Sequence, residues 1–255
     1  MNPVRPKKHL GQHFLTDRNI ARKIVDSLSE DAPGRILEIG PGTGILSQLL
    51  LDLPERDVKF AEIDTESVSF LEEQFPAIRG NILHGDVLRM PLDTIWSQPF
   101  ALIGNFPYNI SSQLFFMVLD HRNLVPEVVC MIQKEVARRI ASPPGSREYG
   151  ILSVLLQTYY NIAYLFTVPP QVFSPPPKVQ SAVIRLVRND RAALPCDEAL
   201  FVKVVKTAFN QRRKVMRNSL RPLLRPGVED HPLLTMRPEQ LGVEDFILLT
   251  EHVVG

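Results

Sequence analysis

The sequence predicts an α/β chain: a mostly parallel sheet with helices on both faces, antiparallel late strands, and a small C-terminal helical domain. Three observations carry this. Short apolar runs alternate with helical stretches from Arg35 to Ala141, the pattern of successive parallel βαβ units. Two late runs rich in apolar and β-branched residues, 162–168 and 179–187, are separated only by a stretch that Pro169-Pro170 and Pro175-Pro176-Pro177 hold stiff and extended. No strand pattern follows Val187, and the remaining chain carries helical periodicity.

Residues 1–16 read as an extended arm punctuated by Pro3, Pro6 and Gly11. Thr16 or Asp17 is placed to cap a helix reaching Leu28, with Ile20, Ile24, Val25 and Leu28 on one face. Pro33-Gly34 turns the chain into a buried strand, Arg35 to Ile39. A glycine turn, Gly40-Pro41-Gly42-Thr43-Gly44, follows it and precedes a helix from Ile45 to Leu51. The cycle repeats with a strand at Val58–Ala61 and a helix from Thr65 to Phe75, then with Ile82-Leu83 leading into Gly85-Asp86. Phe100 to Ile103 forms the next strand, and Ser111 or Ser112 caps a helix through Leu119. Val128 to Ile132 is a strand followed by a helix from Lys134 to Ala141. Ser142 to Gly150 is a polar loop, and Leu152 to Tyr159 is helical.

Asn189 to Pro195 reads as a linker. Beyond it Phe201, Val204, Val205, Ala208 and Phe209 recur at the spacing of one helix face. The expected domains are therefore residues 1–188, with the arm at 1–16, and residues 196–255.

The 255 residues are 44% hydrophobic and 22% charged, enough to bury a substantial core. Cys130 and Cys196 make neither a disulfide framework nor a metal spacing, and Cys130 falls in an apolar run. Few cysteines, no export signal and no membrane-length apolar run point to a cytoplasmic protein. Net charge is only +1, but the cations are clustered. No Asp or Glu lies between Glu198 and Glu229. That interval holds Lys203, Lys206, Arg212, Arg213, Lys214, Arg217, Arg221 and Arg225. Such a cluster is either a footprint for a polyanion or a solvated helix surface.

The chemistry-bearing residues fall at strand ends. Gly40, Gly42 and Gly44 follow the first core strand, where glycines let a ligand approach the backbone closely. Glu62-Ile63-Asp64 ends the second, where a carboxylate is placed to accept from ribose hydroxyls. Asp86-Val87 follows the third, and a carboxylate there is placed to accept from an adenine amino group. A lone acid at any of these places is also a helix cap. Three consecutive strand ends together favour a nucleoside site, and the lack of a phosphate-cradling Lys favours adenosine over a dinucleotide. At the fourth strand end, Asn105-Phe106-Pro107-Tyr108 combines an amide, a carbonyl and an aromatic ring, a grip for an exocyclic amine on a flat ring.

Glu38-Ile39-Gly40-Pro41-Gly42-Thr43-Gly44 resembles the first motif of the class I S-adenosylmethionine-dependent methyltransferases, whose sheet is Rossmann-like. Asn105-Phe106-Pro107-Tyr108 resembles the fourth motif of their amino-methylating branch. Three further stretches narrow the resemblance: Gly11-Gln12-His13-Phe14-Leu15, Phe173-Ser174-Pro175-Pro176-Pro177-Lys178-Val179, and Gln211-Arg212-Arg213-Lys214. Together they are similar to the KsgA-type ribosomal RNA adenine dimethyltransferases over nearly the whole chain. Two positions depart from the usual pattern: His13 stands where Asn is common, and Phe106 where Leu is common.

The resemblance implies S-adenosylmethionine as cofactor, held by His13, Leu15, Gly40, Gly42, Glu62, Ile63, Asp86, Val87 and Asn105. It implies Asn105 and Pro107 as acceptors for adenine N6, with Tyr108 and Phe173 stacking on the extruded base. It implies RNA contacts from Arg212, Arg213, Lys214, Arg217 and Arg221, and no metal. The implied reaction is dimethylation of two adjacent adenines near the 3′ end of small-subunit ribosomal RNA in an assembling 30S subunit, by a monomer. Two rivals stand beside it: a large-subunit adenine methyltransferase of the macrolide-resistance type, and a noncatalytic RNA-binding assembly factor on the same fold.

Overall fold

The structure, a computed structural model, describes residues 4–255. The arm expected at 1–16 lies outside the described residues only at positions 1–3. The chain forms two compact units: one runs to Ala137 and includes Ile162–Arg188, and the other joins Arg138–Asn161 to Asn189–Gly255. The sequence places the division after residue 188. In the structure the segment 138–161 groups instead with the C-terminal helices, because its apolar helix packs among them.

The first unit is built on a seven-stranded sheet. In chain order its strands are β2 (Arg35–Ile39), β3 (Asp57–Glu62), β4 (Ile82–His84), β5 (Ala101–Asn105), β6 (Glu127–Gln133), β7 (Tyr160–Val168) and β9 (Ser181–Arg188). Their spatial order is β4-β3-β2-β5-β6-β9-β7. The pairs β2–β3, β3–β4, β2–β5 and β5–β6 are parallel, and β9 runs antiparallel to β6. From β2 the chain steps outward to β3 and β4, then crosses to the other side of β2 for β5. That reversal opens a crevice at the carboxyl ends of the strands, the place where open α/β sheets bind ligands.

The central strands are buried on both faces, which explains their unbroken apolar character. Ile36, Leu37, Leu102, Ile103, Val128, Val129, Cys130 and Met131 are all fully buried. Gly104 is needed for their approach, since a Cβ there would stand 2.4 Å from the Ile39 carbonyl oxygen. Helices α1 (Arg18–Val25), α2 (Ile45–Leu51), α3 (Thr65–Gln74) and α5 (Ser111–Asp120) join the core. Asp17 caps α1 by accepting from the backbone N–H of Asn19 and Ile20. No serine side chain caps α5; Ile110 holds the N-cap position, and Ser111 donates back to the Tyr108 carbonyl instead.

The arm ends in β1 (Phe14–Leu15), which pairs antiparallel with β8 (Phe173–Ser174), Leu15 facing Phe173. In the second unit, α7 (Ile151–Tyr159), α8 (Glu198–Asn210) and α10 (Val243–Leu248) pack together. Phe201, Val204, Val205 and Ala208 form the buried face of α8, as their spacing requires. Phe209 lies against Tyr149 and Phe246, with ring centroids 6.1 and 5.9 Å away.

Candidate active site

One cavity of the first unit gathers the ends of β2, β3, β4 and β5 beneath the arm. Its wall includes Gly40 and Gly42, Glu62 and Ile63, Asp86 and Val87, and Asn105 through Ile110. The arm closes it with Leu10 through Phe14. Each core strand thus delivers its last residues to one place because all four run in parallel.

The glycine turn is tight by necessity. Gly40, Gly42 and Gly44 have φ of +68°, +58° and +81°, a region that side chains disfavour. A Cβ on Gly42 would meet the Phe14 ring at 2.9 Å, so the turn also admits the arm. Glu62 is buried beside this turn. Its carboxylate accepts from the Gly42 N–H at 3.1 Å and from the Asp64 N–H at 2.9 Å. Burial lifts its pKa above the ordinary range, opposed by those N–H donors. Each oxygen keeps a further lone pair for a ligand hydroxyl.

Ile63 leaves 48% of its surface exposed although it is a large apolar residue, and it faces the cavity together with Val87. The pair offers apolar area to a flat ring. Asp86 lines the cavity, and its carboxylate accepts from the Leu88 N–H at 3.1 Å and caps the following turn.

At the end of β5 the Asn105 amide is fixed: its Nδ2 donates to the His13 carbonyl at 2.8 Å. Phe106 is fully buried and its N–H bonds the Met131 carbonyl, which anchors the turn. The Pro107 carbonyl accepts from the Ile110 N–H at 3.2 Å and retains a lone pair. The Tyr108 hydroxyl pairs with the Ser181 hydroxyl at 2.5 Å, and its ring lies 5.4 Å from the His13 ring. His13 Nδ1 donates to the Pro175 carbonyl at 2.8 Å, so the arm residue that departs from the usual pattern is held by its ring.

Two expected site residues stand elsewhere. Leu15 and Phe173 are each 3% exposed and belong to the hydrophobic core, behind the cavity wall. Leu15 and Phe173 face each other across the β1–β8 pair, and neither is part of the cavity wall. The cations 212–221 belong to the second unit. Arg213, Lys214, Arg217 and Arg221 are exposed there. Arg212 is half-buried and donates to the carbonyls of Arg147 and Ser146 at 2.5 and 3.4 Å.

Sequence reasoning passed over Gln12 and Leu10 as wall residues, although Gln12 lay inside the arm motif. It also passed over Glu38. That carboxyl is fully buried in β2, accepts from the Ser47 hydroxyl at 2.6 Å through one oxygen, and leaves the other without a partner. Burial pushes its pKa up to about 8.

The fold defines a class. A dimethyladenosine transferase from Plasmodium falciparum superposes with a TM-score of 0.79 at 23% identity, covering 93% of this chain and 96% of that one. A 23S rRNA methyltransferase, ErmE, superposes with a TM-score of 0.67 at 26% identity, covering 94% and 100%. The architecture is that of a Rossmann-like class I methyltransferase. Residues 4–249 match the family model for ribosomal RNA adenine dimethylase. A protein from Porphyromonas gingivalis called ribosomal RNA small subunit methyltransferase A is 56% identical over 254 residues, 98% of each chain. Its namesake from Bacteroides fragilis is 53% identical over 257 residues, 99% of this chain and 94% of that one. The chain belongs to the ribosomal RNA adenine dimethylase family.

Proposed function

We propose that this chain transfers methyl groups from S-adenosylmethionine to N6 of two adjacent adenines in a hairpin near the 3′ end of small-subunit (16S) ribosomal RNA. It acts as a monomer in the cytoplasm, on an assembling 30S subunit. The observation that carries the chemistry is the orientation of Asn105. With Nδ2 committed to the His13 carbonyl, Oδ1 is the amide atom left to accept a hydrogen. The name shared by relatives more than half identical to this chain favours the small-subunit target over the large-subunit one.

Adenine N6 is a poor nucleophile because its lone pair is delocalised into the ring. In the first transfer Asn105 Oδ1 and the Pro107 carbonyl accept its two hydrogens; in the second only one hydrogen remains to be accepted, and each transfer releases one N6 proton to solvent. These hydrogen bonds draw the nitrogen toward tetrahedral geometry and turn its lone pair out of conjugation. As positive charge grows on N6, both acceptors bind it more tightly, so they stabilise the transition state more than the ground state. The Tyr108 ring, pinned through its hydroxyl to Ser181, is the stacking face for the extruded base.

Bound S-adenosylmethionine supplies an electrophilic methyl group on a sulfonium. The residues present fit it. Glu62 has lone pairs for the ribose, Ile63 and Val87 line the same cavity with apolar surface for the adenine ring, and Asp86 accepts from the adenine amino group. Gly40 and Gly42 admit the ligand to the backbone, and His13 covers it from the arm. In the C-terminal region 196–255, Arg212, Arg213, Lys214, Arg217 and Arg221 contact phosphates; such contacts add affinity and salt dependence rather than sequence information.

The test is incorporation of labelled methyl groups into small subunits that lack the modification, with nuclease digestion and mass spectrometry of the product. Four methyl groups on two adenines is the expected outcome. No incorporation, or incorporation only into large-subunit RNA, refutes the proposal.

A further inference from the structure

The arm is held on the first unit by one carboxylate outside the proposed reaction centre. Asp64 follows β3 and is 3% exposed. Its carboxylate pairs with the Lys7 ammonium and accepts from Gln12 Nε2 at 3.1 Å. The same group accepts from the Ser67 hydroxyl at 3.2 Å and caps α3 through the Glu66 N–H at 3.2 Å. Around it the arm is cross-braced: Gln12 Oε1 accepts from the Lys7 N–H at 2.8 Å, and Glu66 accepts from the Arg5 N–H at 2.9 Å. Burial works to raise the Asp64 pKa, but the Lys7 and Gln12 bonds outweigh it and hold the carboxyl below its usual range.

The other end of this arm segment meets the amine-gripping turn. Asn109 Nδ2 donates to the His9 carbonyl at 3.2 Å, and Asn105 Nδ2 donates to the His13 carbonyl at 2.8 Å. Gly11 passes so close that a Cβ would stand 2.6 Å from Asn109 Oδ1. Residues 7–13 are thus a strap across the cavity, anchored at Asp64 on one bank and at Asn105 and Asn109 on the other. Among the described residues, no side-chain hydrogen bond other than that to the His13 carbonyl holds the Asn105 amide, whose two ends differ chemically but hardly in shape.

We infer that Asp64 is a positioning residue for methyl transfer: it pins the arm through Lys7 and Gln12, and the pinned arm holds the Asn105 oxygen toward the substrate amine. This rests on the function proposed above. Asp64 itself touches neither reactant in this scheme. Its backbone N–H also orients Glu62, so one corner sets both the ribose acceptor and the strap.

The experiment compares Lys7→Met, Lys7→Arg and Asp64→Asn with the wild-type chain, each alone and combined with Asn105→Ala. Amide hydrogen exchange across residues 7–16 reads the strap directly and needs no cofactor. Single-turnover methylation of small subunits reads the positioning. Lys7→Met and Asp64→Asn are expected to raise exchange in the arm. They should lower the methylation rate by about tenfold to 100-fold, the scale of a misplacement near 1 Å, with RNA affinity unchanged. Lys7→Arg is expected to restore both. On the Asn105→Ala background, Lys7→Met is expected to cost no further rate, because the strap acts through that amide. Faster exchange with an unchanged rate, unchanged exchange, or additive losses with Asn105→Ala each overturn the inference. Should Asp64→Asn fail to fold, Lys7→Met decides alone, since it leaves the cap of α3 intact. A wild-type chain without methyl transfer would refute the proposed function instead, and the exchange result would still report on the strap.

Discussion

Replacing Asn105 by Ala separates the two jobs its amide performs. The side chain is half-buried, donates through Nδ2 to the His13 carbonyl at 2.8 Å, and has Oδ1 free. Loss of Oδ1 removes one acceptor aimed at a centre that becomes positive in the transition state. Removing one preorganised partner of a developing charge costs about 10²–10³-fold in rate, roughly 3–4 kcal/mol. Loss of Nδ2 strips the His13 carbonyl of a donor at a place water reaches, which costs about 1 kcal/mol of stability. A stability change of that size leaves the protein folded at assay temperature, so it cannot counterfeit a hundredfold rate loss. Single-turnover methylation, with calorimetric titration of S-adenosylmethionine and of RNA, distinguishes the two. Expected are a rate lower by about 10²–10³-fold, RNA affinity unchanged, and cofactor affinity changed by no more than about threefold, or 0.6 kcal/mol. A rate within tenfold of wild type, or a loss confined to cofactor affinity, refutes the grip assigned to Asn105.

Four other outcomes follow from single groups. Glu38 holds its proton up to about pH 8 in the folded chain, while the unfolded carboxyl loses it near 4.5. Folding stability therefore falls as pH rises between those values, by at most about 1.4 kcal/mol per pH unit. Glu38→Gln removes that loss, so urea midpoints of the variant should decline less with pH across this window; parallel curves would refute the buried-acid assignment. Gly104→Ala drives a Cβ to 2.4 Å from the Ile39 carbonyl oxygen, backbone against backbone, and should lower stability by about 1–3 kcal/mol in thermal unfolding. Arg213→Glu should weaken RNA binding and reduce the slope of log affinity against log salt by about one unit. Arg212→Ala should instead lower stability, since that guanidinium ties down the carbonyls of residues 146 and 147.

The parts legible in sequence were those with local causes. The strands β2, β5 and β6 announced themselves as apolar runs because burial on both faces leaves little polar alternation. The glycine turn and the Asn105-Phe106-Pro107-Tyr108 stretch were legible for the same reason: a backbone that must bend or approach closely admits few residues. The Asp17 cap was equally local. Non-local causes were hidden. The pairing of Phe14 with Ser174 joins segments 160 residues apart, and nothing in either segment records its partner. The flanking prolines therefore do not reveal that Phe173 pairs with Leu15 and is 3% exposed. The segment 138–161 carries an ordinary helical pattern, and which unit it joins is decided by packing that no window of sequence contains.

Asp64 shows how such hidden links bear on chemistry. Read locally, it is a helix cap after a strand, and the structure confirms that bond to the Glu66 N–H. A cap needs no Lys or Gln from an arm more than fifty residues upstream, yet its second oxygen holds Gln12 and its first holds Lys7. Burying a carboxylate to 3% exposure is costly unless it is paired and hydrogen-bonded, and here the arm supplies both. The arm and the corner are therefore interdependent: freeing the arm leaves Asp64 buried with its cap bonds alone. An electrostatic requirement of the sheet corner thus keeps the strap across the cavity, and the strap presents the His13 carbonyl to Asn105. A sequence window around either residue shows one half of that arrangement, and the orientation of the amide depends on both.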